Sequence, residues 1–328
     1  MSAEWYLPLI FAGLMALAML LYVILDGYDL GVGILFPFAN AQEKDQMMAS
    51  IGPFWDANET WLVLGIGILL IAFPKAHGII LTSLYFPVFI MLVGLILRGV
   101  AFDFRYKAKA SYKKLWDTLF FAGSLITSLA QGFMLGRYIM GFESGLTSTL
   151  FASLTAICTA AGYALLGATW LAMKTQNETL TKTVRWAKYC LTLTVLGVVA
   201  ISLATPWASE SVFNKWFSWP SIFWLSPVPF ATAYLIYRCF QGLHRFDPSK
   251  QWVPFACSVG IFVLSFCGLA YSLFPYLVSG QLDIWQAASA VESLRFVLWG
   301  ALITVPAILL YTAFSYWVFW GKADELTY

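Results

Sequence analysis

Five ionisable residues lie inside sequence that is otherwise apolar enough to cross a membrane. Asp26 and Asp29 stand in LYVILDGYDLGVGILFPF, Asp56 and Glu59 in GPFWDANETWLVLGIG, and Arg98 in MLVGLILRGVAFDFR. A charge at bilayer depth costs about 2.5–3.5 kcal/mol on insertion scales, so such residues usually pair and often line a pathway. The cluster therefore predicts proton or ion transfer as the chemistry of this chain.

Asp26 and Asp29 are three residues apart, which places both carboxylates on one side of a helix. One interpretation is that they end the first span in headgroup water. The sequence stays apolar through Phe38, however, and this favours a position inside the span. Gly31 and Gly33 allow either close helix packing or a break in the helix at this point.

Asp56 and Glu59 precede the second apolar run in a pattern that resembles a capping box at a helix start. Pro53 just upstream fits the same interpretation. Capping does not exclude a proton-relay role, because a capping carboxylate at the cytoplasmic mouth of a route still meets water.

Arg98 precedes Arg105 by seven residues, or about 10 Å along a helix. Its side chain could reach the inner surface by snorkelling. We prefer pairing with Asp26, Asp29 or Asp56, because all four residues are expected at a similar depth on the cytoplasmic side.

The composition defines the class of protein. The 328 residues are 60% hydrophobic and only 11% charged, whereas soluble domains carry about 25% charged residues. This predicts an all-α polytopic membrane protein, with residues 1–328 forming a single transmembrane domain. The net charge of +2 gives no reason to expect a nucleic-acid partner. The N-terminus lacks a positive n-region, so we expect a retained helix rather than a signal peptide.

The apolar runs predict about nine transmembrane helices. Fourteen of the 19 Lys and Arg residues lie in one set of connections and four in the opposite set, with Arg98 inside a helix. Because cytoplasmic loops carry the excess of positive charge, the N-terminus is expected outside and the C-terminus in the cytoplasm. The Trp-rich outer segment 206–220 is expected along the membrane interface. The predicted spans are 6–38, 57–74, 79–104, 117–137, 149–173, 187–205, 221–239, 252–275 and 295–320.

Cysteine and histidine usage argues against a cofactor bound by this chain alone. The five cysteines show no CxxC or CxxCH spacing, which predicts free thiols. His77 and His244 are the two histidines, and they are expected on opposite sides of the membrane. Two such residues cannot ligate one haem axially, so neither a haem nor a metal site is predicted in this chain.

Three motifs carry a family resemblance. DGYDLGVG at 26–33, PFWDANETW at 53–61 and LRGVAFDFR at 97–105 resemble subunit II of the cytochrome bd-type quinol oxidases. The similarity extends over the whole chain, and the sequences GILFPF and NETW are closest to those of the cyanide-insensitive branch. Ala57 is a departure, because many relatives have Gly there.

The resemblance implies a subunit of a complex in the prokaryotic cytoplasmic (inner) membrane that oxidises quinol and reduces dioxygen to water. The expected main partner is subunit I, which carries the quinol site and the haems, b and d or b only. A small single-span accessory subunit, membrane lipids and quinone are further candidate partners. Subunit II itself is expected to bind no haem and to act in catalysis only within the complex.

The resemblance also implies a proton route through the carboxylate that matches Asp56. Our hypothesis is that Asp56 takes protons from the cytoplasm and passes them through Asp29 and Asp26. Glu59 belongs to the same route, and Arg98 sets its charge balance.

Trp55 and Trp61 are expected to pack against the partner subunit. The resemblance also implies that an oxygen route passes near Trp61.

Two alternatives from other classes of protein stay open. Glycine-interrupted spans with buried carboxylates also occur in proton-coupled secondary transporters. In a purely structural membrane subunit, the same acids would act only as caps and ion pairs.

Overall fold

Long apolar runs form long helices in this chain, because a helix satisfies its own backbone hydrogen bonds inside a bilayer. The computed structural model describes residues 3–208, 210–219, 221–245 and 247–323. A short antiparallel pair, β1 (Tyr276–Val278) and β2 (Leu282–Asp283), interrupts the helices near the end of the chain. The helices are α1 (Ala3–Leu35), α2 (Ala41–Ile51), α3 (Trp55–Ala72), α4 (Pro74–Lys107), α5 (Ala110–Ile139), α6 (Leu146–Lys174), α7 (Asn177–Ala208), α8 (Glu210–Phe217), α9 (Ser221–Leu225), α10 (Pro227–His244), α11 (Trp252–Leu273), α12 (Ile284–Ala287) and α13 (Val291–Val318).

Within these ranges, eight helices are long and apolar enough to cross a membrane. They are α1, α3, α4, α5, α6, α7, α11 and α13, and they confirm the all-α polytopic fold. The predicted span at 221–239 instead forms α9 and α10, which are not among the eight. The reason is that the last two turns of α10 contain Arg238, Gln241 and His244. The orientation of the termini stays a prediction.

The first helix is continuous, so of the two alternatives at Gly31 and Gly33 the structure has close packing and not a break. Gly31 instead allows α1 to touch α6. A Cβ atom on Gly31 would lie 1.8 Å from the carbonyl oxygen of Tyr163, and one on Gly167 would lie 2.4 Å from the carbonyl carbon of Gly31. Such backbone contact needs glycine on both helices, as is common where membrane helices pack closely.

The short helix α2 is not anticipated by hydropathy. A capping box begins it: the Asn40 side chain accepts from the Glu43 N–H, and the Glu43 carboxylate accepts from the Asn40 N–H. Two cations then anchor it to the long helices. Arg105 donates to Asp45 at 2.6 Å, and Lys182 pairs with Glu43 at 2.6 Å. The helix is thus held against α4 on one side and α7 on the other.

The largest buried core lies around α2 and the adjoining ends of the long helices. Met47 and Ile51 of α2 pack in one cluster with Phe36, Phe102 and Phe120. This apolar cluster contains none of the charged residues that are described next.

Candidate proton-transfer site

Arg98 is the centre of the site and joins three helices. Its Nη1 donates to Oδ1 of Asp26 on α1 at 2.5 Å, and its Nη2 donates to Oε2 of Glu59 on α3 at 2.7 Å. The side chains of Arg98 and Asp26 are 2% and 0% exposed, whereas that of Glu59 is 30% exposed. The pairing of Arg98 with Asp26 is confirmed. Snorkelling is wrong, because the guanidinium is buried between helices.

Close contact between α4 and α5 sets the height of Arg98. A Cβ atom on Gly123 would lie 2.6 Å from the Gly94 carbonyl oxygen and 2.7 Å from the Arg98 nitrogen. Because the two backbones touch here, α4 cannot slide along α5 without a clash. The arginine is therefore held opposite the acidic turn of α1.

Asp29 has a different environment from Asp26. No ion pair involves it among the described residues. Its Oδ2 accepts a hydrogen bond from the Asn58 amide at 2.8 Å. The same amide nitrogen is 2.8 Å from the Tyr28 hydroxyl, and the Tyr316 hydroxyl donates to Asn58 Oδ1 at 3.1 Å. A neutral amide thus donates to this carboxylate, and two tyrosine hydroxyls, from α1 and α13, contact the amide in turn.

Sequence reasoning missed Asn58, Tyr28 and Tyr316. Asn58 lies between Asp56 and Glu59, three residues after α3 begins at Trp55. This position gives only a weak indication that Asn58 belongs to the site. Tyr316 lies 258 positions from Asn58, and no local pattern predicts such a contact.

Several buried polar atoms of the site have no hydrogen-bond partner among the protein atoms. They are Asp26 Oδ2, Asp29 Oδ1 and Arg98 Nε. Buried polar atoms are normally satisfied by protein or by ordered water. Ordered water is therefore the expected partner of these atoms.

A chain of neutral groups continues from Asp26 toward α5 and α6. Tyr22 lies one helical turn before Asp26 on α1, and its hydroxyl accepts from Gln131 Nε2 at 2.5 Å. The Tyr163 hydroxyl in turn donates to Gln131 Oε1 at 2.7 Å. The polar site therefore extends beyond the charged residues.

Asp56 does not reach the buried cluster directly. It is exposed in a groove of about 520 Å³ between α3 and α4, which Glu59 and Asp103 also line. The capping prediction is wrong: Phe54 is the N-cap residue of α3 and has no side-chain capping bond. Asp56 lies two positions after the N-cap residue, in the first turn of the helix.

The two tryptophans take different positions. Trp61 is 2% exposed and packs in a core cluster with Tyr22, Met91 and Leu95. Trp55 is half-buried, lines the groove and lies 4.8 Å from Phe102 between ring centroids. Trp61 thus packs inside this chain and leaves almost no surface for a partner. A role beside an oxygen route stays a prediction.

The positions of the two histidines bear on whether this chain could ligate a haem. His77 lies in the first turn of α4, and His244 ends α10 with its ring stacked on Phe240 at 3.9 Å between centroids. In the described part of the chain, no three His, Cys, Asp or Glu side chains are grouped to hold a metal ion. These residues do not fit a haem site.

Eight apolar helices in the described part of the chain, with a carboxylate–arginine cluster buried between them, define a polytopic membrane protein. The family model for cytochrome bd terminal oxidase subunit II matches residues 7–319, and the chain belongs to this family. It is therefore a subunit of a terminal oxidase complex with a partner subunit I, and a multi-pass protein of the bacterial inner membrane.

Individual relatives agree with this assignment. The chain is 26% identical to cytochrome bd-I ubiquinol oxidase subunit 2 of Escherichia coli K12, over 93% of this chain and 92% of the relative. It is also 26% identical to cytochrome bd ubiquinol oxidase subunit 2 of Bacillus subtilis, over 91% of each. The bd oxidase structure from Geobacillus thermodenitrificans shares the fold, with a TM-score of 0.76 at 16% identity over 93% of this chain and 97% of that one. Assignment to the cyanide-insensitive branch stays a prediction.

Proposed function

We propose that this chain is the haem-free subunit II of a quinol:oxygen oxidoreductase, that it stabilises the haem-bearing subunit I, and that it carries cytoplasmic protons toward the site of oxygen reduction. The observation that supports the proton role is a gradient of burial. Asp56 is exposed, the Glu59 side chain is 30% exposed, and Asp26 and Asp29 are 0% and 1% exposed. Carboxylates thus lead from the surface to the core.

Glu59 is the central member of this route, which revises the direct transfer from Asp56 to Asp29. Its side chain lines the groove beside Asp56 and also contacts Arg98, which contacts Asp26. The site holds three carboxylates and one guanidinium, of which Asp26 and Glu59 are paired with Arg98, so it can take up protons without accumulating net positive charge. The haems of subunit I, b and d or b only, supply the electron transfer from quinol to oxygen.

The position of the acids also indicates which face subunit I covers. Asp56 and Asp103 are exposed in a groove that is otherwise largely apolar, with Val63 and Ile96 in its wall. A carboxylate facing lipid is costly, so we propose that subunit I covers the apolar wall of this groove, while its acidic end stays open to the cytoplasm. The apolar outer faces of α7, α10 and α13 are then left for membrane lipids, quinone and a small accessory subunit.

The test uses the purified complex reconstituted into vesicles, with quinol-driven oxygen uptake and internal pH followed together. Glu59→Gln and Asp56→Asn remove one carboxylate each. We expect turnover and proton uptake to fall together, by about tenfold or more for Glu59→Gln, because a relay group that cannot ionise raises the barrier by more than about 1.4 kcal/mol. Glu292→Gln, an exposed carboxylate at the start of α13, is the matched control.

Normal turnover and proton uptake in both variants would refute the proton route. Loss of haem content together with activity would instead favour the purely structural subunit. Family membership already favours an oxidase subunit over the transporter alternative.

A further inference from the structure

The last helix, α13, packs loosely along most of its length. Only 6% of the residues in its most apolar stretch are buried, and its buried members are Leu294 and Val305. Near its end, however, Tyr316 reaches into the site. Its ring stacks on Phe54 with 4.5 Å between centroids, and its hydroxyl lies 2.6 Å from that of Tyr28. Tyr316 is therefore firmly packed, although most of the helix that carries it is not.

The Tyr316 hydroxyl is one of the groups that hold the Asn58 amide in its orientation. An amide has an oxygen that accepts and a nitrogen that donates. Tyr316 donates to the oxygen at 3.1 Å. The nitrogen faces Asp29 and Tyr28, each at 2.8 Å, and the Leu25 carbonyl oxygen at 3.3 Å. The reversed amide would place its oxygen against the Asp29 carboxylate and leave the buried acid without this donor.

Two lysines fix the end of α13 that carries Tyr316. Lys174, the last residue of α6, donates from Nζ to three carbonyl oxygens that follow α13. Lys322 donates in return to two carbonyl oxygens at the end of α6, and the Ala323 N–H donates to the Lys174 oxygen at 3.0 Å. Each lysine thus satisfies carbonyls at the other helix end. The acceptors are Phe319 (2.5 Å), Trp320 (3.1 Å) and Gly321 (3.0 Å) for Lys174, and Met173 (2.8 Å) and Thr175 (3.0 Å) for Lys322.

We propose that Tyr316 is a positioning residue for the proton route: it holds Asn58 in the orientation that donates to Asp29, and the Lys174–Lys322 pair holds Tyr316 in place. The inference rests on the proposed function. It assigns a task in proton transfer to a helix that carries no charged group of the cluster.

The central variant is Tyr316→Phe in the intact complex. It keeps the stacked ring and removes only the hydroxyl, so haem content should stay normal. Loss of one hydrogen bond to a buried group is expected to slow quinol-driven turnover about three- to tenfold. Because the proton step then limits turnover, the solvent isotope effect in D2O should rise and the pH profile should change shape. Tyr311→Phe, at a hydroxyl on the same helix whose residue is 64% exposed, should change neither.

The lysine pair supplies a second and independent variant. Lys322→Gln removes the cation and should reproduce part of the Tyr316→Phe effect, whereas Lys322→Arg should restore turnover. If Lys322 acts through Tyr316, the double variant should be no slower than Tyr316→Phe alone, because coupled residues are not additive.

Two results would overturn the inference. One is wild-type turnover, isotope effect and pH profile for Tyr316→Phe. The other is a Lys322→Gln effect that multiplies with that of Tyr316→Phe. If Tyr316→Phe lowers haem content, the contrast between Lys322→Gln and Lys322→Arg decides instead, with equal turnover counting against the inference. Slow Glu59→Gln turnover beside normal Tyr316→Phe turnover would remove this inference and leave the proposed function intact.

Discussion

Asp26 and Glu59 bind the same guanidinium from environments that differ sharply in solvent access. The Asp26 side chain is fully buried, while that of Glu59 is 30% exposed. Removing one partner of a buried pair strands the other charge in a medium that cannot solvate it. Water can instead reach Glu59 and take over part of its role. The two carboxylates lie at similar distances from Arg98, 2.5 and 2.7 Å, but the two ion pairs need not contribute equally to stability.

This difference predicts unequal stability losses. Asp26→Asn should lower the free energy of unfolding by about 3–5 kcal/mol, as for other broken buried pairs. Glu59→Gln should cost about 1 kcal/mol or less, because solvent screens the pair on that side. Thermal unfolding of the purified complex, followed by circular dichroism, measures both. Equal destabilisation would show that Glu59 is as well shielded as Asp26 once subunit I is bound.

At the same scale, residue types identified the cluster, but they did not identify every contact. Charges inside apolar sequence are conspicuous, so Asp26, Asp29 and Arg98 could be predicted. The choice of Glu59 rather than Asp56 as the second partner depends on the rotation of α3, which periodicity does not determine here, because most of α3 is apolar on all sides. Tyr316 could not be found, because a neutral tyrosine near the end of a span is typical of any membrane interface.

Between helices, the strongest constraint is the backbone contact of α1 with α6. Gly31→Ala would place a methyl group 1.8 Å from the Tyr163 carbonyl oxygen, so the helices must separate. We expect the free energy of unfolding to fall by about 1–3 kcal/mol or more, as at other overpacked sites. Gly13→Ala is the matched control on the same helix, because its Cβ would meet nothing within 4 Å. A Gly31→Ala complex with the thermal stability of Gly13→Ala would contradict this packing.

The anchoring of α2 predicts a dependence on acid. Burial raises the pKa of Glu43, but hydrogen bonds from Lys182 and from the Asn40 N–H outweigh it, so the pKa lies below its ordinary value of 4.5. The unfolded chain then binds more protons than the folded chain as the pH falls. The contribution of Glu43 to stability is therefore complete above about pH 4.5 and is lost as the pH falls through the folded pKa.

The corresponding measurement is the unfolding temperature between about pH 6 and pH 3. Glu43→Gln should be less stable than wild type at pH 6 and should lose less stability on acidification. Glu178→Gln, at an exposed acid in the first turn of α7, should keep the wild-type pH dependence. Parallel pH curves for Glu43→Gln and wild type would show that this anchor does not titrate.

Helix positions were predicted better than helix ends. Hydropathy placed a span at 117–137, where α5 runs from Ala110 to Ile139. The extra turns are polar and lie beyond the apolar run, so a hydropathy criterion cannot include them. For the same reason α2 was missed, although its Asn40–Glu43 capping box is readable in the sequence.

On the scale of the whole molecule, the groove between α3 and α4 exposes acidic side chains beside apolar ones. Large apolar side chains are exposed on many helices, as expected of a membrane protein. The groove between α3 and α4 combines such side chains with Asp56, Glu59 and Asp103. The fold class could be predicted from composition alone. The location of this groove could not, because it depends on how α3 and α4 lie side by side.

The last prediction tests whether subunit I covers this groove. Val63 lines it and is 70% exposed, and Leu196 on α7 is similarly exposed at 61%. Tryptophan is tolerated in contact with lipid, but in a packed interface its added volume clashes. We therefore expect Val63→Trp to lower the haem that co-purifies with this chain, and Leu196→Trp to leave it unchanged. Haem content per copy of subunit II gives the measurement. If the outcome is reversed, so that Leu196→Trp alone loses haem, subunit I lies against α7, and the carboxylates of the groove need another explanation for their exposure.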